Sequence, residues 1–200
     1  MKTYIVALAI ALLPTVTLAE TPNEVVQEAA QLLDEKLSAK KDELAADREA
    51  LYALIDEILL PRFDQKYAAQ LVLGRHWRAA SAEQRERFID AFYSHLLRQY
   101  ADGVLEFDLG MIEILPFRGD LSDPRTLVRT VVTLDDGTEV PVDYGMVNRD
   151  KGWQMFDVTI EGISYVRNFR SELNSEIQSS SLDAVIERLQ KESGSKAGAE

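Results

Sequence analysis

The stretch WQMFDVTIEGISYVRNFR, Trp153 to Arg170, changes period half-way along. Phe156, Val158 and Ile160 alternate with Asp157 and Thr159, the pattern of a half-buried strand. Glu161-Gly162 interrupts it, and Val166, Phe169 and Leu173 then recur at helical spacing. One segment therefore predicts the last strand of a sheet joined to a helix that covers it. A curved sheet walled by helices follows, an arrangement that can enclose an apolar hollow.

Upstream of this junction the pattern is helical, then extended. A helix is predicted over Asn23 to Leu37, followed by a Lys-rich link from Ser38 to Asp42. A second runs from about Arg48 to Leu60, where Pro61 interrupts it. Phe63 to Leu73 resumes as a helix that stops at Gly74. Ser81-Ala82-Glu83-Gln84 is a capping box opening a helix from Ala82 to about Tyr100. Strands are predicted at Glu106–Leu115, Leu127–Leu134, Val140–Val147 and Trp153–Ile160. The hairpin signals at Asp135-Asp136-Gly137 and Asn148 to Gly152 make the last three antiparallel neighbours. A short helix over Leu182 to Leu189 follows, and Lys191 to Glu200 is expected to be disordered. The fold class is α+β: a curved antiparallel sheet of about four to five strands wrapped by helices, in one domain over 20–190.

Residues 1–19 read as a secretory leader rather than as fold. Lys2 gives a positive start, Tyr4 to Leu13 is apolar, and Thr17-Leu18-Ala19 ends in cleavage-type spacing after Ala19. The run is shorter than the ~20 apolar residues that span a bilayer. The expected location is the periplasm. The chain has no cysteine, which excludes disulfides, thiol catalysis and thiolate metal sites. With 22 Lys+Arg against 34 Asp+Glu it is a net anion, a poor ligand for nucleic acid and repelled by anionic membrane surfaces.

Known catalytic patterns are absent. His76 and His95 stand nineteen positions apart on different predicted elements and make no metal pair. No GxSxG, Walker or GxGxxG loop occurs, and no cofactor is expected. Asp143 and Asp157, on adjacent predicted strands, are candidates for an acid–base pair if buried. Asp135-Asp136 reads as turn chemistry. Arginines dominate the middle of the chain, and some can line a pocket rim to meet an anionic headgroup. Phe88, Phe92, Tyr100, Tyr144, Trp153, Phe156 and Phe169 fall where helices and sheet should face each other. That pattern suits either a packed core or a ligand cavity.

Four blocks carry a family resemblance. They are Leu73-Gly-Arg-His-Trp-Arg-Ala-Ala-Ser81 continuing through Glu83-Gln-Arg-Glu-Arg-Phe88, Pro141-Val-Asp-Tyr144, Ile160-Glu-Gly-Ile-Ser-Tyr-Val166 with Asn168-Phe-Arg170, and Leu182-Asp-Ala-Val-Ile186. In this order they resemble the MlaC family, the periplasmic phospholipid carriers of the Mla pathway, also described as toluene-tolerance auxiliary proteins. Phe169 departs from the family pattern, where a tyrosine is common, so any polar contact at that position is in doubt. The resemblance implies a fold like nuclear transport factor 2 and an elongated pocket for the acyl tails of a glycerophospholipid. It implies as partners an inner-membrane ABC transporter complex with its substrate-receiving ring and an outer-membrane lipoprotein–porin complex. Inward faces and family pattern together nominate a lipid-binding lining. From the helices it draws Leu54, Ile58, Phe88, Phe92, Leu96, Tyr100 and Phe169. From the strands it draws Val128, Val142, Tyr144, Phe156 and Val158. Two other readings stay open: a small-molecule isomerase or dehydratase using a pocket aspartate, and a ligand-free protein-interaction module.

Overall fold

Thr21 opens the first helix by a reciprocal cap. Its hydroxyl accepts from Glu24 N–H while its own N–H donates to the Glu24 carboxylate, with Pro22 at the first helical position. The computed structural model describes residues 20–195, so residues 1–19, where a leader is expected, and residues 196–200, part of the expected disordered tail, lie outside the described residues. Helix α1 spans Pro22–Ala46. The predicted Lys-rich link is instead a kink at Lys40 inside this helix, beyond which Leu44 is buried again. Helix α2 is Arg48–Leu59, capped by Asp47, and Pro61 sits in a short 3₁₀ turn. Helix α3 is Gln65–Leu73.

Gly74 ends α3 with φ +52° and ψ −115°, and starts a five-residue helix, α4 (Arg75–Ala79), that periodicity is too short to reveal. A β-carbon at Gly74 would lie 3.0 Å from the mobile end of the Arg170 side chain, so it is the backbone conformation that calls for glycine. Helix α5 (Ala82–Leu105) opens on the expected capping box but does not stop at Tyr100. Ala101 is buried against α1 and α2, and Asp102 meets Arg48, which carries the helix past Gly103.

The first expected strand shrinks for a related reason. Val104, Leu105 and Phe107 are drawn into the α1–α2–α5 cluster, and Leu109 N–H donates to Asp34 at 3.0 Å. A 3₁₀ turn at Leu109–Met111 follows, leaving only β1 (Ile112–Ile114). The remaining strands are β2 (Arg125–Thr133), β3 (Glu139–Arg149), β4 (Gly152–Ile160) and β5 (Ile163–Ser164). They form a curved five-stranded antiparallel sheet in sequence order. In the β2–β3 hairpin the Asp136 carboxylate accepts from Thr138 N–H at 2.9 Å, the turn role expected for it.

Helix α6 (Tyr165–Ser179) follows β5 directly, and α7 (Leu182–Ser195) packs on α5. Where disorder was expected from Lys191, the helix continues to Ser195. Arg188 bridges Glu176 at 2.7 Å and Glu192 at 2.9 Å, and Ser193 Oγ donates to the Leu189 carbonyl. Ion pairs extend the helix where an apolar stripe is absent. Among the described residues no helix is long and apolar enough to cross a membrane.

Candidate functional site

The register of β4 is the local feature that shapes the site. Gly145 pairs with Asp157 but Met146 pairs with Met155, so Phe156 is an extra, bulged residue. The bulge resets the alternation. Trp153 and Met155 join Val128 and Met146 in the buried face, and beyond it Val158 and Ile160 lie opposite Tyr144 and Val142. The simple alternation read from the sequence placed Phe156 in that row. Its ring instead meets Tyr67 of α3 edge-on at 5.0 Å. Gly145 is the residue that leaves room for it, since a β-carbon there would sit 3.1 Å from Phe156 Cζ.

Between this face and the helices lies a cavity of about 480 Å³. Helix α1 contributes Val26, Ala29, Ala30 and Leu33, and α2 contributes Ile55 and Leu59. Phe63 and Ala68 also line it. Helix α5 presents Phe92, Tyr93, Leu96, Leu97, Tyr100 and Ala101, and α6 presents Tyr165, Val166 and Phe169. The sheet supplies Val132, Val142, Tyr144, Met155, Val158 and Ile160. Alanines at 29, 30, 68 and 101 put short side chains where neighbouring turns carry leucine or valine, and the space they leave is part of the hollow.

Of the side chains nominated from sequence, Phe92, Leu96, Tyr100, Val142, Tyr144, Phe156, Val158 and Phe169 border the cavity. The other four pack elsewhere. Phe88 is wholly buried with Trp77, Val185 and Ile186 between α4, α5 and α7. Leu54 and Ile58 pack in the α1–α2–α5 cluster with Leu33 and Leu37. Val128 is sealed between Val25 and Val26 of α1 and Met146 of the sheet. A helical stripe shows which residues turn inward, but not whether a neighbour or a void faces them. The α1 residues were missed although their stripe was visible; the paired alanines within it were the available signal.

Polar groups at the wall are few, and several have defined partners. Asp157 accepts from Ser164 Oγ at 2.6 Å and from Val166 N–H at 3.0 Å, while Ser164 Oγ accepts from Arg167 N–H. Its carboxylate thus holds the first turn of α6. Asp143 alternates with Val142 and Tyr144 and so belongs to the opposite face of β3. The two carboxylates do not form an acid–base pair in the cavity. Tyr93 donates to Asp56 at 2.7 Å, and burial, then that bond, push its hydroxyl well above the usual tyrosine range. Burial and the neighbouring Tyr165 push Tyr100 up to about 12, and burial raises Tyr144.

Four of the arginines from the middle of the chain have partners away from the cavity lining. Arg149 lies over Tyr67, Arg98 over Tyr52 and Arg85 over Trp77, and Arg87 pairs with Asp183. His76, within α4, meets Asn174 of α6 at 3.1 Å, and His95 lies 3.3 Å from Glu192 and edge-on to Phe169.

These features define the class: an α+β protein built around an apolar cavity between a bulged antiparallel sheet and its covering helices. The chain belongs to the MlaC family, whose family model, described as MlaC protein, matches residues 27–191. It is 29% identical over 182 residues to the toluene tolerance protein ttg2D of Pseudomonas putida, covering 89% of this chain and 84% of that protein. It is 24% identical over 178 residues to the intermembrane phospholipid transport system binding protein MlaC of Haemophilus influenzae, covering 86% and 83% respectively. The fold matches a solved phospholipid-binding protein from Ralstonia solanacearum in complex with a phospholipid. The TM-score is 0.80 at 23% identity, over 88% of this chain and 98% of the other.

Proposed function

We propose that this protein is a periplasmic carrier that shelters the acyl chains of a glycerophospholipid in the cavity and moves the lipid between membranes. The observation that carries the reading is the cavity's predominantly apolar lining, with helix α1 on one side and the sheet on the other. The phospholipid transport named for the Haemophilus relative and the phospholipid bound by the Ralstonia protein support phospholipid as the cargo. The leader pattern of residues 1–19 supports export. In this reading the lipid passes between an inner-membrane ABC transporter complex and an outer-membrane lipoprotein–porin complex.

Burying each methylene gains about 0.8 kcal/mol, so a chain of about sixteen carbons gains roughly 13 kcal/mol against water. A bilayer buries the same chain equally well, so the net gain against a membrane is near zero. A carrier built this way holds lipid in water and exchanges it only when docked. The headgroup remains outside, where its charge stays hydrated. The enzyme reading loses support because Asp157 is bonded into the α6 cap and Asp143 alternates with the cavity-lining Val142 and Tyr144, on the face turned from the cavity.

Native mass spectrometry of the protein purified from its own host, followed by solvent extraction, tests the proposal. A bound mass that extraction identifies as diacyl glycerophospholipid supports it. Ligand-free protein that takes up no phospholipid after mixing with vesicles contradicts it.

A further inference from the structure

The cavity is small for a lipid with two chains. An apolar cavity of about 150 Å³ holds a benzene molecule, which sets roughly 25 Å³ for each carbon. The 480 Å³ between helices and sheet therefore holds about nineteen carbons, one long acyl chain. Two chains of about sixteen carbons each need roughly 800 Å³.

The walls differ in how they can yield. Packed protein stands behind α5 and α6, where Phe92 and Phe169 share a buried cluster with Leu73 of α3, Trp77 of α4 and Ile186 of α7. The sheet is braced by its hydrogen-bonded ladder from β1 to β5. Helix α1 is backed differently: Gln27, Glu28, Gln31 and Glu35, beside its cavity-lining turns, are exposed. Its polar ties run to turns and a strand end rather than into the ladder. Asn23 Nδ2 donates to the Leu115 carbonyl at 3.0 Å, Arg62 meets Glu28 at 3.3 Å, and Leu109 N–H donates to Asp34 at 3.0 Å. Val25 and Val26 meet the sheet through apolar contact with Val128 and Met146. Extra volume therefore comes from α1 moving off the sheet.

We propose that this conformation is a complete site for a single-acyl phospholipid, so that lysophospholipids are a second ligand class, and that a diacyl lipid buries both chains only by displacing α1. The inference rests on the carrier reading above. The one chain of a lysophospholipid fills the hollow, and its headgroup leaves past the part-exposed Tyr100, Val104 and Phe107 into water. Filling an existing apolar void separates no packed surfaces. Parting α1 from the sheet uncovers Val25, Val26 and Val128, a cost that the second chain must offset.

The test titrates delipidated protein with lysophosphatidylethanolamines of increasing chain length, kept below their micelle concentrations, and separately with dipalmitoyl phosphatidylethanolamine in vesicles. Native mass spectrometry should show one lysolipid per protein. Affinity should rise about four-fold per methylene up to about nineteen carbons and stay level beyond. Leu96→Ala, which removes about three carbons from the wall, should move that break to chains about three carbons longer. Amide exchange over residues 22–37 should be no faster in the lysolipid complex than in the empty protein, and about three-fold or more faster in the diacyl complex. Two lysolipids per protein, affinity that climbs past the break, a break unmoved in Leu96→Ala, or diacyl uptake with α1 exchange unchanged would each overturn the proposal. Uptake of diacyl lipid without any lysolipid would overturn it and leave the carrier reading standing. Uptake of neither would sink both.

Discussion

Phe88 and Phe92 stand one helical turn apart on α5 with their rings stacked at 5.5 Å in one buried cluster, yet only Phe92 also borders the cavity. Phe88 is enclosed by Trp77 and by Val185 and Ile186 of α7, in a packed region. Phe92 touches Phe169 on one side at 5.2 Å and borders the hollow on the other. The same apolar stripe builds a core at one end of a helix and a cavity wall at the other. What lies across from each turn decides: the large residues of α7 in one case, the alanines of α1 and the retreating sheet in the other.

The contrast is sharpest in stability. Phe88→Ala should cost about 3–5 kcal/mol in urea denaturation because a filled site becomes a void. Leu96→Ala, on the cavity wall, should cost about half of that or less, since it enlarges a space already present. Equal costs would break the distinction between packed and hollow regions.

Gly145→Ala should cost about 1–3 kcal/mol, because the added methyl must displace the bulged Phe156 or Asp157. Its signature is a shift at the Tyr67–Phe156 contact that leaves the α5–α7 core unchanged, seen by amide hydrogen exchange. Asp157→Asn should cost about 1 kcal/mol by weakening the α6 cap while leaving bound lipid in place. A total loss of function from that change, in a protein of normal stability, would restore the enzyme reading.

The smallest effect concerns pH. Tyr93, Tyr100 and Tyr144 all have raised hydroxyl pKa values in the folded state. Below about pH 10 both folded and unfolded chains keep these protons, so their contribution is fully present. Above it the unfolded chain ionises first, and the contribution is lost as pH rises through the folded values. Thermal unfolding should therefore be flat up to about pH 10 and fall beyond it, and Tyr93→Phe should flatten the fall.

Much of this architecture is legible in the sequence because local signals agree with it. The Ser81 capping box, the Gly74 stop, the three long strands with their hairpin turns and the β4-to-α6 junction all depend on neighbours in the chain. What the sequence conceals depends on distant partners. Helix α5 outruns Asp102-Gly103 because α1 and α2 bury Ala101, and α7 outruns Lys191 through pairs with Glu176 and Glu192. The bulge at Phe156 reflects its fit over Gly145, which no alternation rule contains. The cavity wall was partly visible as stripes, but Leu54, Ile58, Phe88 and Val128 share those stripes and face other side chains.

The most direct test of the central claim fills the hollow without touching the core. Ala30→Phe places a ring into the cavity from α1. Delipidated wild-type protein mixed with phospholipid vesicles should take up diacyl lipid, and the Ala30→Phe protein should take up markedly less at similar stability. Equal uptake by both proteins, or none by the wild type, would contradict the account.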